Sequence, residues 1–223
     1  MEYNYNNAYL RHPCADGVVA FDDGSSLKTH DIMNELPRFM KKADVLFTDP
    51  PWNATNLCTF YTKADMVRPD DGYAWFYSRL FECIGEIAPK VCYLEIGKEF
   101  LAEFIFELRK LYKYVTFYNS SYYHKADNHC YVVRGSNTPK KPRLDGMDEE
   151  EIIAWVCANE QYECIGDLCM GQGLVAQGAA KAGRTFVGTE LNHKRLAVTI
   201  ERVMKARPSR IYEIKSLGGI EEC

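Results

Sequence analysis

The tetrapeptide Asp49, Pro50, Pro51, Trp52 directly follows the apolar run ADVLFT at residues 43–48. Two consecutive prolines remove two backbone donors, and the nearby carbonyl groups then cannot be satisfied by a continuing strand. A carboxylate oxygen of Asp49 and the carbonyl of Pro50 can accept the two N–H bonds of an exocyclic amino group, while Trp52 stacks on the attached base. Because the amino nitrogen keeps its lone pair for an electrophile, the tetrapeptide predicts catalysis by positioning and electrostatics.

A second candidate site is the glycine-rich turn at residues 171–176, which fits G-x-G-x-x-A between a strand and a helix. Gly171 and Gly173 let the backbone approach a ligand closely, and the helix that follows offers unpaired N–H groups. Glu190 ends the next predicted strand, where a carboxylate can accept hydrogen bonds from two ribose hydroxyls. The turn favours an adenosine-containing cofactor, but alone it does not separate S-adenosylmethionine from a nicotinamide dinucleotide.

Strands and helices alternate around these two peptides. The predicted strands are 17–21, 43–48, 90–97, 114–123, 129–135, the run entering the glycine-rich turn at 163–173, 184–191 and 210–215. The predicted helices are 27–42, which Pro37 interrupts, 72–88, 98–112, 149–158, 174–183 and 193–205. Residues 53–71 are predicted to be an irregular loop. The alternation predicts an α/β fold with a doubly wound, mostly parallel sheet and a C-terminal-side β-hairpin.

The composition sets limits on class and compartment. The 223 residues are 47% hydrophobic and 26% charged, which fits one globular domain and excludes disordered, collagen-like and coiled-coil chains. There is no apolar window that could span a membrane and no secretory signal, so a cytoplasmic or nuclear protein without a membrane partner is expected. The nine cysteines form no CxxC pair, which indicates buried free thiols, and no metal site is predicted. The net charge of −4 leaves a nucleic-acid partner open, since binding footprints are local.

The tetrapeptide, the later segment DLCMGQG at 167–173 and the segment VGTEL at 187–191 together resemble the S-adenosylmethionine-dependent amino-methyltransferases of DNA. The order, with the catalytic peptide before the cofactor turn, is similar to the β-class adenine-N6 and cytosine-N4 enzymes. The resemblance covers 17–52 and 138–202, about half of the chain. It implies a Rossmann-like methyltransferase fold, S-adenosylmethionine as cofactor and a flipped-out base as substrate.

The resemblance also carries roles onto individual residues. The catalytic group that holds and stacks the base is Asp49, Pro50, Pro51 and Trp52. The cofactor group is Asp167, Cys169, Gly171 and Gly173 at the methionine end, Glu190 at the ribose, Asp22 or Asp23 at the adenine, and Lys141 and Pro142, which match a peptide beside the cofactor. The chain departs from the family where Gln172 and Leu174 replace the usual Ser and Thr.

The region that would recognise the target is short, with candidate elements at 53–71 and 119–129. The candidates for contact with nucleic acid, by stacking or at phosphates, are Asn53, Tyr122, Tyr123, His124 and Lys125. So small a surface suggests a short target, loose specificity, or a homodimer or partner subunit that supplies further contacts.

Several activities remain open from the sequence. Aspartate at the first tetrapeptide position favours adenine N6 in DNA within this family, whereas cytosine-N4 enzymes more often carry serine. An RNA adenosine-N6 methyltransferase is the nearest rival, because DPPW also occurs in enzymes that modify messenger RNA. A nicotinamide-dependent oxidoreductase would leave DPPW unexplained, and a catalytically silent nucleic-acid-binding subunit is the non-enzymatic alternative.

Overall fold

The computed structural model describes residues 5–68, 72–125 and 127–214. Within these ranges one sheet is formed by β1 (Val18–Phe21), β2 (Ser26–Thr29), β3 (Val45–Thr48), β4 (Val91–Ile96), β5 (Tyr114–Ser121), β6 (His129–Ser136), β7 (Cys164–Asp167), β8 (Thr185–Glu190) and β9 (Ile211–Ile214). The helices are α1 (Ala8–Arg11), α2 (Ala54–Lys63), α3 (Gly72–Ile87), α4 (Leu101–Leu111), α5 (Glu149–Asn159), α6 (Leu174–Lys181) and α7 (His193–Ala206), with short 3-10 helices at Arg38–Lys42 and Lys98–Phe100.

The centre of the sheet is parallel and both flanks are antiparallel. The strand order is β5-β6-β4-β3-β7-β8-β2-β1-β9, and β4, β3, β7, β8 and β2 run in the same direction. The chain leaves β3 towards β4 on one side and leaves β7 towards β8 on the other. A crevice therefore opens between the carboxyl ends of β3 and β7, where doubly wound folds bind their ligands. The predicted fold class is confirmed, and the predicted hairpin, β5 and β6, extends the sheet beyond β4.

Helices cover both faces of the sheet. Val45 and Phe47 of β3 belong to the core under α1, α5, α6 and α7, whereas Leu46 belongs to the core under α2, α3 and α4. This alternation is the two-residue period of a strand, and it explains why the whole of β3 is apolar and buried. The catalytic peptide thus begins at the end of a strand that packing fixes on both faces.

The helix predicted for 27–42 is wrong. Its first residues form β2, which pairs in parallel with β8 and antiparallel with β1, and its last residues form a 3-10 helix after Pro37. Leu27 packs in one core, while Ile32 and Leu36 pack in the other. The apolar spacing therefore arose from elements on opposite sides of the sheet rather than from one helical face.

The loop predicted for 53–71 is also wrong over most of its length, because α2 occupies Ala54–Lys63. The Asn53 side chain caps this helix by accepting a hydrogen bond from Asn56 N at 3.0 Å. Leu57 and Tyr61, one turn apart, are its buried side chains. Two apolar positions give too weak a period to predict a helix from sequence, and residues 69–71 lie outside the described ranges.

The remaining predicted elements are confirmed within a few residues. Asp148 caps α5 and forms a full capping box with Glu151. Cys83, Cys92 and Cys130 are buried free thiols. The predicted end of the last strand at residue 215 lies outside the described part of the chain. None of the helices within that part combines the length and apolar character needed to cross a bilayer.

Candidate active site

The end of β3, the Tyr73 hydroxyl and the contacts of the Trp52 ring position the tetrapeptide. The Tyr73 hydroxyl donates to the Pro51 carbonyl at 2.9 Å, which ties the peptide to α3. The Trp52 indole N–H donates to Asp49 Oδ1 at 2.8 Å, so the ring orients the carboxylate. One face of the indole lies on Gly97, where a β-carbon would come within 2.8 Å of the ring. The carboxylate of Asp49 is therefore held in one orientation before any ligand arrives.

An aromatic chain leads outward from Trp52. Its ring meets Tyr122 edge-on at 5.2 Å between centroids, and Tyr122 meets Tyr123 at 4.8 Å. Tyr123 is 71% exposed and lines the cavity, as Asp49 does, whereas Trp52 is not among the lining side chains. The hairpin tip thus brings one exposed aromatic ring to the mouth of the cavity.

The glycine-rich turn is shaped by its two glycines and closed by Glu190. Gly171 and Gly173 have φ angles of +56° and +79°, and a β-carbon on Gly173 would lie 2.4 Å from Thr199 Cγ2. Glu190 Oε2 accepts from Gly171 N at 2.6 Å, and its Oε1 accepts from Asn192 N at 3.0 Å. A carboxylate has about four lone-pair positions, so Glu190 can hold the turn and still accept bonds from a ligand.

Two side chains join the ends of β3 and β7. The Cys169 N–H lies 3.1 Å from Thr48 Oγ1 and 3.0 Å from Asp167 Oδ1. Since Thr48 precedes Asp49 and Asp167 precedes the glycine-rich turn, this shared donor fixes the distance between the two candidate motifs. The two candidate motifs therefore lie at neighbouring strand ends.

The two motifs open into one cavity of about 390 Å³ at the carboxyl ends of the parallel strands. Its size lies within the range of small-molecule sites. The carboxyl groups that line it are Asp31, Asp49, Glu95, Glu149, Glu150, Asp167 and Glu190. The lining cations are Arg195 and Arg202, so negative charge dominates and the cavity suits a ligand that carries positive charge.

Burial raises the pKa of several of the carboxyl groups that line the cavity. The pKa of Asp49 is raised to about 7, chiefly by burial, against the lowering effect of the Trp52 hydrogen bond. Asp49 opens to solvent through the cavity, yet protein surrounds it on its other sides, which is why desolvation dominates. Burial likewise raises the pKa of Asp167 to about 7 and raises that of Glu190. Perturbed carboxyl groups that converge in a cavity are typical of functional sites.

We expect Asp167→Asn to stabilise the ligand-free protein more at pH 8 than at pH 4. Between pH 4 and 7 folded Asp167 keeps a proton that the unfolded chain has released, so its contribution to the free energy of unfolding falls as pH rises. Asparagine keeps an oxygen for Cys169 N and carries no charge. Thermal unfolding of parent and variant at both pH values measures the difference, and an equal shift in melting temperature at pH 4 and 8 would contradict the stated burial.

Seven of the residues singled out from the sequence line the cavity: Asp49, Pro51, Tyr123, Asp167, Cys169, Gly171 and Glu190. Gly173 lies next to them as the first residue before α6, and Pro50 lies between the lining residues Asp49 and Pro51. Trp52 and Tyr122 do not line the cavity themselves. Trp52 hydrogen-bonds to Asp49, and Tyr122 packs against Tyr123, and both of these partners line it. The two motifs thus meet in a single site.

The prediction for Asp22 and Asp23 needs correction, because they lie in the turn before β2, at the opposite edge of the sheet from the cavity. Asp23 accepts from Ser25 N and pairs with Arg207, so it shapes that turn. His30 and Asp31 follow β2 and line the cavity, and Asp31 accepts from the Tyr61 hydroxyl at 2.7 Å. The mistaken helix at 27–42 concealed this strand end.

Lys141 and Pro142 also lie away from the cavity lining. They follow Lys140, whose Nζ bonds to Glu160 beyond the end of α5, on the side of the sheet where the parallel strands begin. This peptide therefore lies at the other end of the strands from the glycine-rich turn.

Three candidate nucleic-acid contacts have structural partners or positions outside the cavity. Asn53 caps α2 and donates to Glu99 Oε2 at 3.2 Å. His124 pairs with Asp148 and lies 3.8 Å from Glu150, which anchors the hairpin tip on the start of α5. Lys125 is exposed at the same tip. The tip therefore lies beside the cavity. The Lys125 backbone N–H donates to the Tyr122 carbonyl at 3.4 Å, which closes the turn at the tip.

Several lining residues were missed by sequence reasoning. Glu95 lies near the end of β4, Glu149 begins α5 and Arg195 lies in the first turn of α7. Glu95 is a carboxylate within an otherwise apolar strand, which was a usable signal because an unpaired buried charge is costly. Glu149 and Arg195 lie in the first turns of their helices and resemble ordinary charged surface residues in the sequence. Only the fold therefore reveals their place at the cavity.

Several solved structures align with the chain, and two of those reported next are named as a DNA methylase and a DNA methyltransferase. TTHA0409 from Thermus thermophilus, assigned as a DNA modification methylase and complexed with S-adenosyl-L-methionine, aligns with a TM-score of 0.58 at 13% identity over 87% of this chain and 99% of its own. M1.HpyAVI aligns with a TM-score of 0.54 at 12% identity over 79% and 97%. The cytosine-N4-specific PvuII DNA methyltransferase aligns with a TM-score of 0.50 at 9% identity over 80% and 86%.

No protein-family model and no curated protein matches the sequence. At these low identities the structural alignments establish the fold, and they agree with the resemblance seen in the two motifs. The chain has the fold of the DNA methyltransferases with which it aligns.

Proposed function

We propose that the chain is an S-adenosylmethionine-dependent DNA methyltransferase, in one domain over residues 1–223, that methylates the N6 amino group of adenine in a flipped-out base. The observation that carries the proposal is the meeting of Asp49 and the Gly171 turn at one acidic cavity. The structural neighbours named as DNA methyltransferases support the same class of reaction.

The chain's own residues suit the methyl donor. When bound, S-adenosylmethionine supplies an electrophilic methyl group on a positively charged sulfur. Asp167 offers negative charge beside that position, and Glu190 offers acceptors to the ribose hydroxyls. TTHA0409, which shares the fold, was crystallised with S-adenosyl-L-methionine.

A nicotinamide dinucleotide suits this cavity less well. Its pyrophosphate is anionic, and the lining carboxylates outnumber the two arginines, Arg195 and Arg202. Isothermal titration with S-adenosylmethionine and with NAD should therefore show binding of the first alone. Heat of binding from NAD and none from S-adenosylmethionine would reject the cofactor assignment.

The tetrapeptide would act on the acceptor base. Asp49 in its ionised form accepts one N–H bond of the amino group, and the Pro50 carbonyl accepts the other. This arrangement directs the nitrogen lone pair towards the methyl carbon and stabilises the positive charge that develops on nitrogen. Because its pKa is about 7, Asp49 is partly ionised at neutral pH, so activity should rise with pH through this range.

The hairpin tip supports a nucleic-acid substrate. Tyr123 exposes an aromatic ring at the cavity mouth, where it can stack on a base, and Lys125 is exposed beside it for a phosphate. The choice of adenine rests on aspartate as the first tetrapeptide residue, whereas one neighbour of the fold is named as cytosine-N4-specific. The substrate test must therefore report the base as well as the polymer.

The test is methyl transfer from isotopically labelled S-adenosylmethionine to matched DNA and RNA, followed by digestion and mass spectrometry of the nucleosides. The proposal expects label in N6-methyldeoxyadenosine. Label only in N4-methyldeoxycytidine would reject the adenine assignment, and label only in RNA would reject DNA as the substrate. Nucleic-acid binding without turnover, unchanged by Asp49→Ala, would support a silent binding subunit instead.

Trp52→Ala should weaken substrate binding by about 1–3 kcal/mol, since the indole stacks on the base or orients the Asp49 carboxylate that holds it. Trp52→Phe separates the two effects, because it keeps an aromatic ring and loses the N–H donor. Affinity of each variant for a substrate oligonucleotide is measured by fluorescence anisotropy with the demethylated cofactor present. Parent-like affinity in Trp52→Ala would contradict any role of this ring at the base.

A further inference from the structure

Three carboxyl groups from different elements converge on the catalytic side of the cavity. Asp49 follows β3, Glu95 lies near the end of β4, and Glu149 is the first residue of α5. Glu95 is only 2% exposed, and its Oε1 is buried without a hydrogen-bond partner among the described residues. A buried polar atom left without a partner is costly, which points to a use for the Glu95 carboxyl beyond packing.

Burial and mutual repulsion disfavour simultaneous ionisation of the three groups. Burial, followed by the charges of Asp49 and Glu149, raises the pKa of Glu95 well above its ordinary value. Burial also raises the pKa of Glu149, although hydrogen bonds from the Tyr123 N–H and from Glu95 act in the opposite direction. The Tyr123 N–H lies 3.4 Å from Glu149 Oε1. Two donors thus offset part of the effect of burial on Glu149.

The surroundings of this cluster are mostly acidic. The titratable or charged groups that face it are Asp148 and Glu150 on α5, His124 and Tyr123 at the hairpin tip, Cys130 on β6 and Arg195 on α7. Arg195 lowers the pKa of Asp49, whereas Glu149 raises it. The ionisation of Asp49 is therefore sensitive to the charge on Glu149.

Methylation of an amino group releases a proton. The nitrogen forms a bond to the methyl carbon with its lone pair, the electrons of the broken carbon–sulfur bond remain on sulfur, and the nitrogen becomes positively charged. One N–H bond then breaks, its electron pair returns to nitrogen, and the proton needs an acceptor. Asp49, which already accepts that N–H bond, is the first group that can take it.

We propose that Glu149, positioned by neutral Glu95, accepts this proton from Asp49 and releases it to solvent, so that Asp49 is ionised again for the next turnover. The inference rests on the proposed function. Glu149 is part-exposed at the cavity mouth, whereas Glu95 is closed off, which gives Glu149 the outward role and Glu95 a positioning role.

The test compares Glu149→Gln with Glu103→Gln, which removes the same charge from an exposed residue of α4 that does not line the cavity. Methyl transfer over many turnovers is followed as a function of pH. Glu149→Gln should slow the plateau rate by about 100-fold, because Asp49 then loses the group that takes up its proton before the next turnover. It should also move the acid limb, expected near pH 7 for the parent, to lower pH, since Asp49 then ionises more easily. Glu103→Gln should change both by less than about twofold, as solvent screens an exposed charge.

Two variants of Glu95 test its positioning role. Glu95→Gln keeps an N–H donor towards Glu149 and should stay within about threefold of the parent rate, whereas Glu95→Leu removes the donor and should lose about tenfold or more. Circular dichroism of each variant shows that it is folded, and a misfolded Glu95→Leu leaves the decision to Glu149→Gln and Glu95→Gln. A rate for Glu95→Gln as low as that for Glu149→Gln would overturn the neutral state of Glu95.

Failure of this inference is separable from failure of the proposed function. A parent protein that methylates no nucleic acid would overturn the proposed function and the proton path with it. An active parent whose rate and pH profile are unchanged by Glu149→Gln, or changed equally by Glu103→Gln, would overturn the proton path alone. Carboxyl carbon NMR of the ligand-free protein gives an independent readout, because Glu95 should remain protonated at pH 7.

Discussion

Asp49→Ala is expected to reduce the single-turnover rate of methyl transfer by roughly 10²–10³-fold, the size of effect seen when one preorganised electrostatic contact is removed from an active site. Alanine leaves one N–H bond of the amino group without an acceptor and removes the charge that offsets the positive nitrogen. It also releases the Trp52 indole, whose N–H now bonds to Asp49 at 2.8 Å. The rate is measured with labelled cofactor at saturating concentrations of both substrates.

Affinity for S-adenosylmethionine should change by less than about threefold in Asp49→Ala, because Glu190 and the glycine-rich turn lie on the other side of the cavity. Asp16→Ala makes the same substitution at an exposed position and should match the parent in both measurements. Equal rates for Asp49→Ala and the parent would contradict the catalytic role of the tetrapeptide.

Glu190→Ala is expected to weaken cofactor binding by about 10–100-fold, since hydrogen bonds to a charged group contribute about 1.5–3 kcal/mol. The loss has two parts. The ribose would lose its acceptor. The Gly171 N–H would lose Glu190 Oε2, which accepts its hydrogen bond at 2.6 Å and so fixes the turn. Isothermal titration of variant and parent with S-adenosylmethionine gives the ratio of dissociation constants.

Glu201→Ala is the matched control for Glu190→Ala. Glu201 lies on α7 and pairs with Arg11 at the surface, so the same charge is removed away from the cavity. Its dissociation constant should equal that of the parent. An unchanged constant for Glu190→Ala would refute the assignment of the ribose position to this carboxylate.

The two motifs were predictable because each is local in the sequence. The tetrapeptide follows an apolar strand directly, and the Gly171 turn joins a strand to a helix, so both lie at strand ends wherever the sheet is parallel. Their proximity in the folded sheet could not be predicted from local sequence. It depends on β3 pairing with β7, and the Cys169 N–H shared by Thr48 and Asp167 is a product of that pairing.

The errors have the same origin. β2 is short and is stabilised by pairing with β1 and β8, so its residues carried no strand signal of their own, and Asp31 was missed in consequence. The α2 helix depends on a cap by Asn53 and on burial against α3, which a window of mostly polar residues conceals. In the sequence, Glu149 belongs to a helix-capping segment. Its place beside Glu95 follows only from the packing of α5 on the sheet.

A crystal structure with S-adenosylhomocysteine, the demethylated product of the cofactor, tests the central claim most directly. The account predicts that the sulfur lies between Asp49 and Asp167, with the ribose hydroxyls on Glu190 and open space beside Asp49 for the amino group of a base. A ligand bound outside this cavity, or with its sulfur turned away from Asp49, would contradict methyl transfer at the tetrapeptide.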